Sequence, residues 1–231
     1  MTVRTRPSAL PAAPVALVAA LVSAPVAQAL PVTVSEGDFA AWTTAMIAGP
    51  SGGQTGAVSN VGDPGDSWHV TTQTNSPVIA FHGGPGLTVD PAGGEILSVA
   101  VSLDYLVLGA FGQGMGVYSL ALVQDGHVYG AGWFATGASG GWRDASASGL
   151  TAGSFSALDG GTGLDFSTGG SVISVGFGTS NVSGSGINVV YDNLVATFEL
   201  AGAAVPLPAA APLAVAGLAA LGLVARRRRR A

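Results

Sequence analysis

The chain has 231 residues, 48% of them hydrophobic and 9% charged, with a formal net charge of −5 and no cysteine, which excludes disulfides, thiolate zinc sites and thiol catalysis. All 13 acidic residues lie between Glu36 and Glu199, Arg143 is the one Lys or Arg in that span, and lysine is absent from the whole chain. The segment 30–204 therefore carries −12, a surface that repels phosphate backbones and excludes nucleic acid as a partner.

Chemistry at the N-terminus is that of a processing segment. Arg4 and Arg6 form a basic start, Val15 to Ala24 is a short apolar run, and Ala27-Gln28-Ala29 is a small-x-small cleavage site. Residues 1–29 thus read as a signal peptide for the Sec translocon, cut after Ala29 so that the mature chain starts at Leu30. The run is too short, and too closely flanked by Pro14 and Pro25, to span a membrane comfortably.

From Leu30 to Ala204 the length suits one extracytoplasmic domain. The stretch from Ser35 to Met46 is the one place where a short helix is expected. Elsewhere, short apolar or alternating runs recur between Gly, Asp and Ser: Val78 to His82, Ile96 to Leu108, Gly116 to Val123, Val128 to Phe134, Val172 to Gly178 and Ile187 to Leu200. Asp125-Gly126, between two of these runs, is the strongest hairpin signal in the chain. No segment holds a helical apolar period over three turns, and no fixed repeat is visible. The expectation is all-β: about eight to eleven strands in an antiparallel β-sandwich of the jelly-roll type.

Catalytic patterns fail on their own requirements. Gly137-Ala138-Ser139-Gly140-Gly141 matches a nucleophile elbow, but Gly140 to Ala147 is poor helix and no histidine follows His127, so it reads as a Gly-rich loop. Gly160-Gly161-Thr162-Gly163-Leu164-Asp165 echoes a calcium-binding nonapeptide, but one copy without stacked neighbours is a turn. His69, His82 and His127 fall in no metal spacing and read as packed or surface residues. No acidic pair is flanked by the aromatic density that a glycosidase subsite needs, so no enzyme is expected. Tyr129, Trp133 and Trp142 remain as candidate ligand contacts. Tyr129 and Trp133 alternate with glycines on a strand, which suits core packing; exposed, they would stack on sugar rings. Trp142, beside Arg143, is the better exposed candidate.

Glu36-Gly37-Asp38-Phe39 and Trp42 at the start of the body, with Tyr191-Asp192-Asn193-Leu194 in its last strand, resemble galactose-binding-like and carbohydrate-binding-module jelly rolls. That resemblance implies first and last strands lying together, and a structural calcium held by Glu36, Asp38 and Asp192. It also implies polysaccharide as the ligand of a non-catalytic module.

The C-terminal tail, 205–231, has three parts in order: Val205-Pro206-Leu207-Pro208-Ala209, an apolar run from Ala209 to Ala225, and Arg226, Arg227, Arg228, Arg229 and Arg230. The run is 17 residues, about 25 Å as a helix, enough to cross a hydrocarbon core, and the arginines stop transfer with that end in the cytoplasm. This tail resembles the VPLPA-CTERM variant of the PEP-CTERM sorting signals. The resemblance implies an inner-membrane precursor with its body in the periplasm, processed by an exosortase-type enzyme and delivered to the cell surface or extracellular matrix. The sequence reading favours a passive, non-enzymatic surface protein, with a carbohydrate-binding module as the alternative and a glycoside hydrolase behind it.

Overall fold

A computed structural model describes residues 29–36, 38–62, 65–72, 76–111, 115–136 and 140–202. The signal peptide with Ala27, the sorting motif 205–209, the apolar run 209–225 and the arginine cluster 226–230 lie outside the described residues, as does the centre of the Gly-rich loop, 137–139. Among the described residues, no helix is long and apolar enough to cross a membrane.

Among the described residues thirteen strands follow in order: β1 (Leu30–Ser35), β2 (Thr43–Ala48), β3 (Gln54–Gly62), β4 (Gly65–Thr72), β5 (Val78–Gly83), β6 (Thr88–Val89), β7 (Ile96–Phe111), β8 (Met115–Gln124), β9 (His127–Thr136), β10 (Arg143–Leu150), β11 (Ser156–Ala157), β12 (Ile173–Asn181) and β13 (Gly186–Leu200). They form two antiparallel sheets, the jelly-roll sandwich that the patterning predicts. The first sheet runs β10-β7-β13-β4-β3, with β1 added to β13; the second runs β11-β9-β8-β12-β5-β2, with β6 added to β12. The short helix expected across Ser35 to Met46 is not there. A single 3-10 turn, Phe39–Ala41, is followed directly by β2. Phe39 and Trp42 are buried there as side chains of a corner between sheets.

Alternation explains the sheets. In β7, Val99, Val101, Leu103, Tyr105 and Val107 are buried, while Ser102, Asp104 and Leu106 between them face outward. In β13, Asn193 at φ 53 inserts one residue, so the core set passes from Val189 and Tyr191 to Leu194, Ala196 and Phe198. The centre of the core is aromatic. Trp42 lies 5.0 Å from Phe39, 5.9 Å from Trp68 and 5.9 Å from Phe177, which is 4.4 Å from Tyr191 (ring centroids). Each such pair adds about 0.5–1.5 kcal/mol beyond its area burial.

A polar chain crosses this apolar core. Trp68 Nε1 donates to His82 Nδ1 at 3.2 Å, so Nδ1 is the acceptor and Nε2 carries the proton toward Thr179 Oγ1 at 2.8 Å. Thr179 donates on to Gln54 Oε1, and Gln54 Nε2 to Asn181 Oδ1 at 3.2 Å. Trp68 and Gln54 belong to one sheet and His82, Thr179 and Asn181 to the other, so the chain pins the two layers in register. Burial holds the His82 imidazole down at about 3, keeping it neutral.

Candidate ligand face

The register of the second sheet sets one lateral row: Trp133 opposite Tyr118, Tyr118 opposite Gly178, Gly178 opposite Phe81, and Phe81 opposite Ala45. Opposed residues project to the same face, and this row lies on the face away from the core. Trp133 is 60% exposed, while Tyr118 and Phe81 are half-buried. From Trp133 to Phe81 is three strand spacings, about 14 Å.

Glycines let these rings lie flat. A Cβ on Gly116 would stand 2.6 Å from Trp133 Nε1. One on Gly130 would stand 2.7 Å from the Tyr118 ring, and one on Gly176 or Gly83 would press the Phe81 ring at 2.8 and 2.7 Å. Beyond Phe81 the face deepens into a groove of about 620 Å³, bounded by Thr43, Ala45, Met46 and Ile47 of β2, by Gly83-Gly84-Pro85, and by Val128 and Asp159. Asp159 is the one charged side chain lining it. Its carboxylate accepts from Val128 N at 3.0 Å and Gly161 N at 3.3 Å and meets His127 Nδ1 at 3.3 Å.

Sequence alternation had put Tyr129 and Trp133 on one face, and the structure separates them. Tyr129 is 3% exposed and stands opposite Leu122, whereas Trp133 points outward. The cause is Gly132 at φ 64, packed against Ser119, with a matching break in β8, where Val117 and Leu120 are both buried on either side of Tyr118-Ser119. The alternation shifts by one residue on both strands. Trp142, expected as the better exposed candidate, is half-buried, and Trp133 takes that place. Tyr118 and Phe81 were missed: neither is conspicuous alone, and the signal for them, a row, exists only across strands.

At the other sheet, β1 lies beside β13, with Leu30 opposite Leu200 and Ser35 opposite Val195, which brings Glu36 to the bulge at Asp192-Asn193. The Glu36 carboxyl is pushed up to about 7, first by burial and then by the charge of Asp192; backbone hydrogen bonds pull the other way. Its Oε2 is buried without a hydrogen-bond partner. Asp38 does not join the pair: its Oδ1 accepts from Ala40 N at 2.8 Å, capping the 3-10 turn. Among the described residues, no cluster of three or more His, Asp or Glu is arranged to hold a metal. An orphaned carboxylate oxygen beside a second carboxylate fits a hard cation, which would complete its shell with carbonyls or water.

The remaining motifs resolve as loops. Bends at Gly140 and Gly141 lead into strand β10, so the elbow pattern has no helix behind it. The Gly160–Asp165 stretch is a turn region held by Gln124, which donates to Asp165 O at 2.9 Å and accepts from Asp165 N at 2.8 Å. His69 is half-buried and bonded to Asn188, and His127 is exposed.

No known protein family matches the chain by sequence, and no curated protein does. Solved structures similar to it include the family 11 carbohydrate-binding module from Clostridium thermocellum in complex with a β-1,3-1,4-mixed-linked tetrasaccharide. That module is 15% identical over 77% of this chain and 98% of the other, with a TM-score of 0.47. A protein of unknown function from Shewanella oneidensis is 12% identical over 79% and 92%, at 0.44. The CBM22-1 xylan-binding domain from Paenibacillus barcinonensis Xyn10C is 12% identical over 77% and 97%, at 0.38. Similarities this distant assign no ligand to this chain.

Proposed function

We propose that the body is a non-catalytic module that binds a neutral polysaccharide on the outer face of its second sheet, and that the protein is exported and sorted through its tail. The observation that carries the reading is the row of Trp133, Tyr118 and Phe81, laid over glycines on one face. Apolar ring faces exposed in line suit the flat faces of successive sugar rings, and a row across strands orients the glycan perpendicular to them. A passive surface role gives no reason for such a row. The single charge in the groove, Asp159, is negative and already bonded, so anionic polymers are disfavoured.

In the same reading Glu36 and Asp192 hold a structural calcium that ties the first strand to the last. Glu36 Oε2, buried without a hydrogen-bond partner beside Asp192, is the observation that supports it. The export and exosortase proposal is supported by the leader and by the three-part tail. The test is isothermal titration and tryptophan fluorescence against soluble glucans, xylans and galactans, with alginate and polygalacturonate as anionic controls. Saturable binding to at least one neutral polymer, with quenching lost in Trp133→Ala, is expected; no saturable change across the panel would remove the reading.

A further inference from the structure

β9 and β10 are consecutive in the chain but belong to different sheets, so their facing edges do not pair. Between them lies a slot of about 430 Å³, within the size range of small-molecule sites. Trp133 and Phe134 of β9 line it from the second sheet, and Asp144 and Ser146 of β10, with Tyr105 of the neighbouring β7, line it from the first. Ser119 lines it too; this side chain is 1% exposed and its hydroxyl has no hydrogen-bond partner. Leaving a buried hydroxyl unsatisfied costs about 1–3 kcal/mol, so the position is set for a partner that the fold itself does not supply. Gly132 maintains the arrangement: a Cβ there would stand 2.1 Å from Ser119 Oγ and 3.4 Å from Ala147.

We infer that this slot is a second binding site, taking one neutral sugar ring, a chain end or a single-sugar branch, at the edge of the sandwich. Its chemistry is an aromatic wall for the ring face, a carboxylate at Asp144 to accept from neighbouring hydroxyls, and the Ser119 hydroxyl to meet a third. Trp133 belongs both to this slot and to the outer row, so it stands at the corner where a glycan leaves the face and turns over the edge. The inference takes its ligand class from the glycan reading and its geometry from the slot alone.

The test uses free monosaccharides (glucose, galactose, xylose, arabinose and mannose, each to 100 mM) with protein-observed NMR, beside titrations with polymers. At least one sugar should give saturable shifts at Trp133, Tyr105 and Ala145 with a millimolar Kd. Ser119→Ala and Asp144→Ala should each weaken it at least fivefold without lowering Tm, and leave polymer shifts at Phe81 intact. Shifts absent for every monosaccharide, or unaltered in both variants, overturn the slot. Polymer binding at Phe81 and Tyr118 with a silent slot defeats the slot alone, and monosaccharide binding at the slot with no polymer binding defeats the outer row alone.

Discussion

The two sheets present opposite chemistries on their outer faces. On the second, register lines up Trp133, Tyr118 and Phe81; on the first, it lines up Asp144, Asp104 and Asp192 across β10, β7 and β13. The aromatic row is carried by glycines that leave room for rings. The carboxylate row crosses the Ala- and Ser-rich β10 and the Val- and Leu-rich β7 and β13, and Asn193 Nδ2 donates to Asp104 Oδ2 at 2.9 Å. Like charges directly opposite are destabilising, so the acidic row costs stability that the sandwich core must offset, while the aromatic row leaves apolar surface in water. One backbone design therefore serves two ends: a face suited to a ligand and a face suited to hydration or a cation.

The largest way to break this comparison is to unpin the sheets. His82 is neutral in the fold, held at about 3, while its ordinary value is 6.5. Its contribution to stability is complete above 6.5 and is lost as pH falls toward 3, by up to about 4–5 kcal/mol. Between 4.5 and 7 the Glu36 carboxyl, held at about 7, takes up a proton in the fold and opposes this loss, so urea unfolding at stepped pH should show the His82 slope in a Glu36→Gln background, and His82→Leu should flatten it there while lowering stability at neutral pH. A curve flat from pH 6.5 to 4 in Glu36→Gln contradicts the assignment.

Calcium comes next. Saturating calcium at a hundred times its Kd should add about 2.7 kcal/mol, raising Tm by several degrees relative to chelator, and Glu36→Gln should abolish the difference. Equal melting curves with and without chelator reject the cation. Trp133→Ala should weaken polymer binding about 30-fold, roughly 2 kcal/mol, with little change in Tm because the side chain is mostly exposed. Retained affinity would move the ligand off this face. The smallest effect sharpens the contrast: Asp104→Asn should stabilise the body by a few tenths of a kcal/mol at low salt, less at high salt, with glycan affinity unchanged. A loss of affinity would show that the two faces are not independent.

Much of the sandwich was legible in advance. Asp125-Gly126 forms its hairpin with φ 53 and 80, and Gln124 pairs with His127. The long alternations of β7 and β13 read correctly because a half-buried strand writes its period into the chain. β3, β4 and β10 escaped, being rich in Gly, Ser, Thr and Asp and bordering loops, where apolar periodicity is weak. The helix expected near Ser35 failed because Phe39 and Trp42, spaced as on a helix, are instead anchors of a turn into β2.

From the sequence by itself came the all-β class and the acidic lysine-free body, since each depends on composition or local order. Only tertiary structure decided that Trp133 faces out while Tyr129 faces in, that Phe81 and Tyr118 share its row, and that Asp38 leaves Glu36 and Asp192 as a pair. Those outcomes turn on strand register and on single-residue shifts at Gly132 and Asn193, which a local pattern does not encode because the partners are distant in the chain.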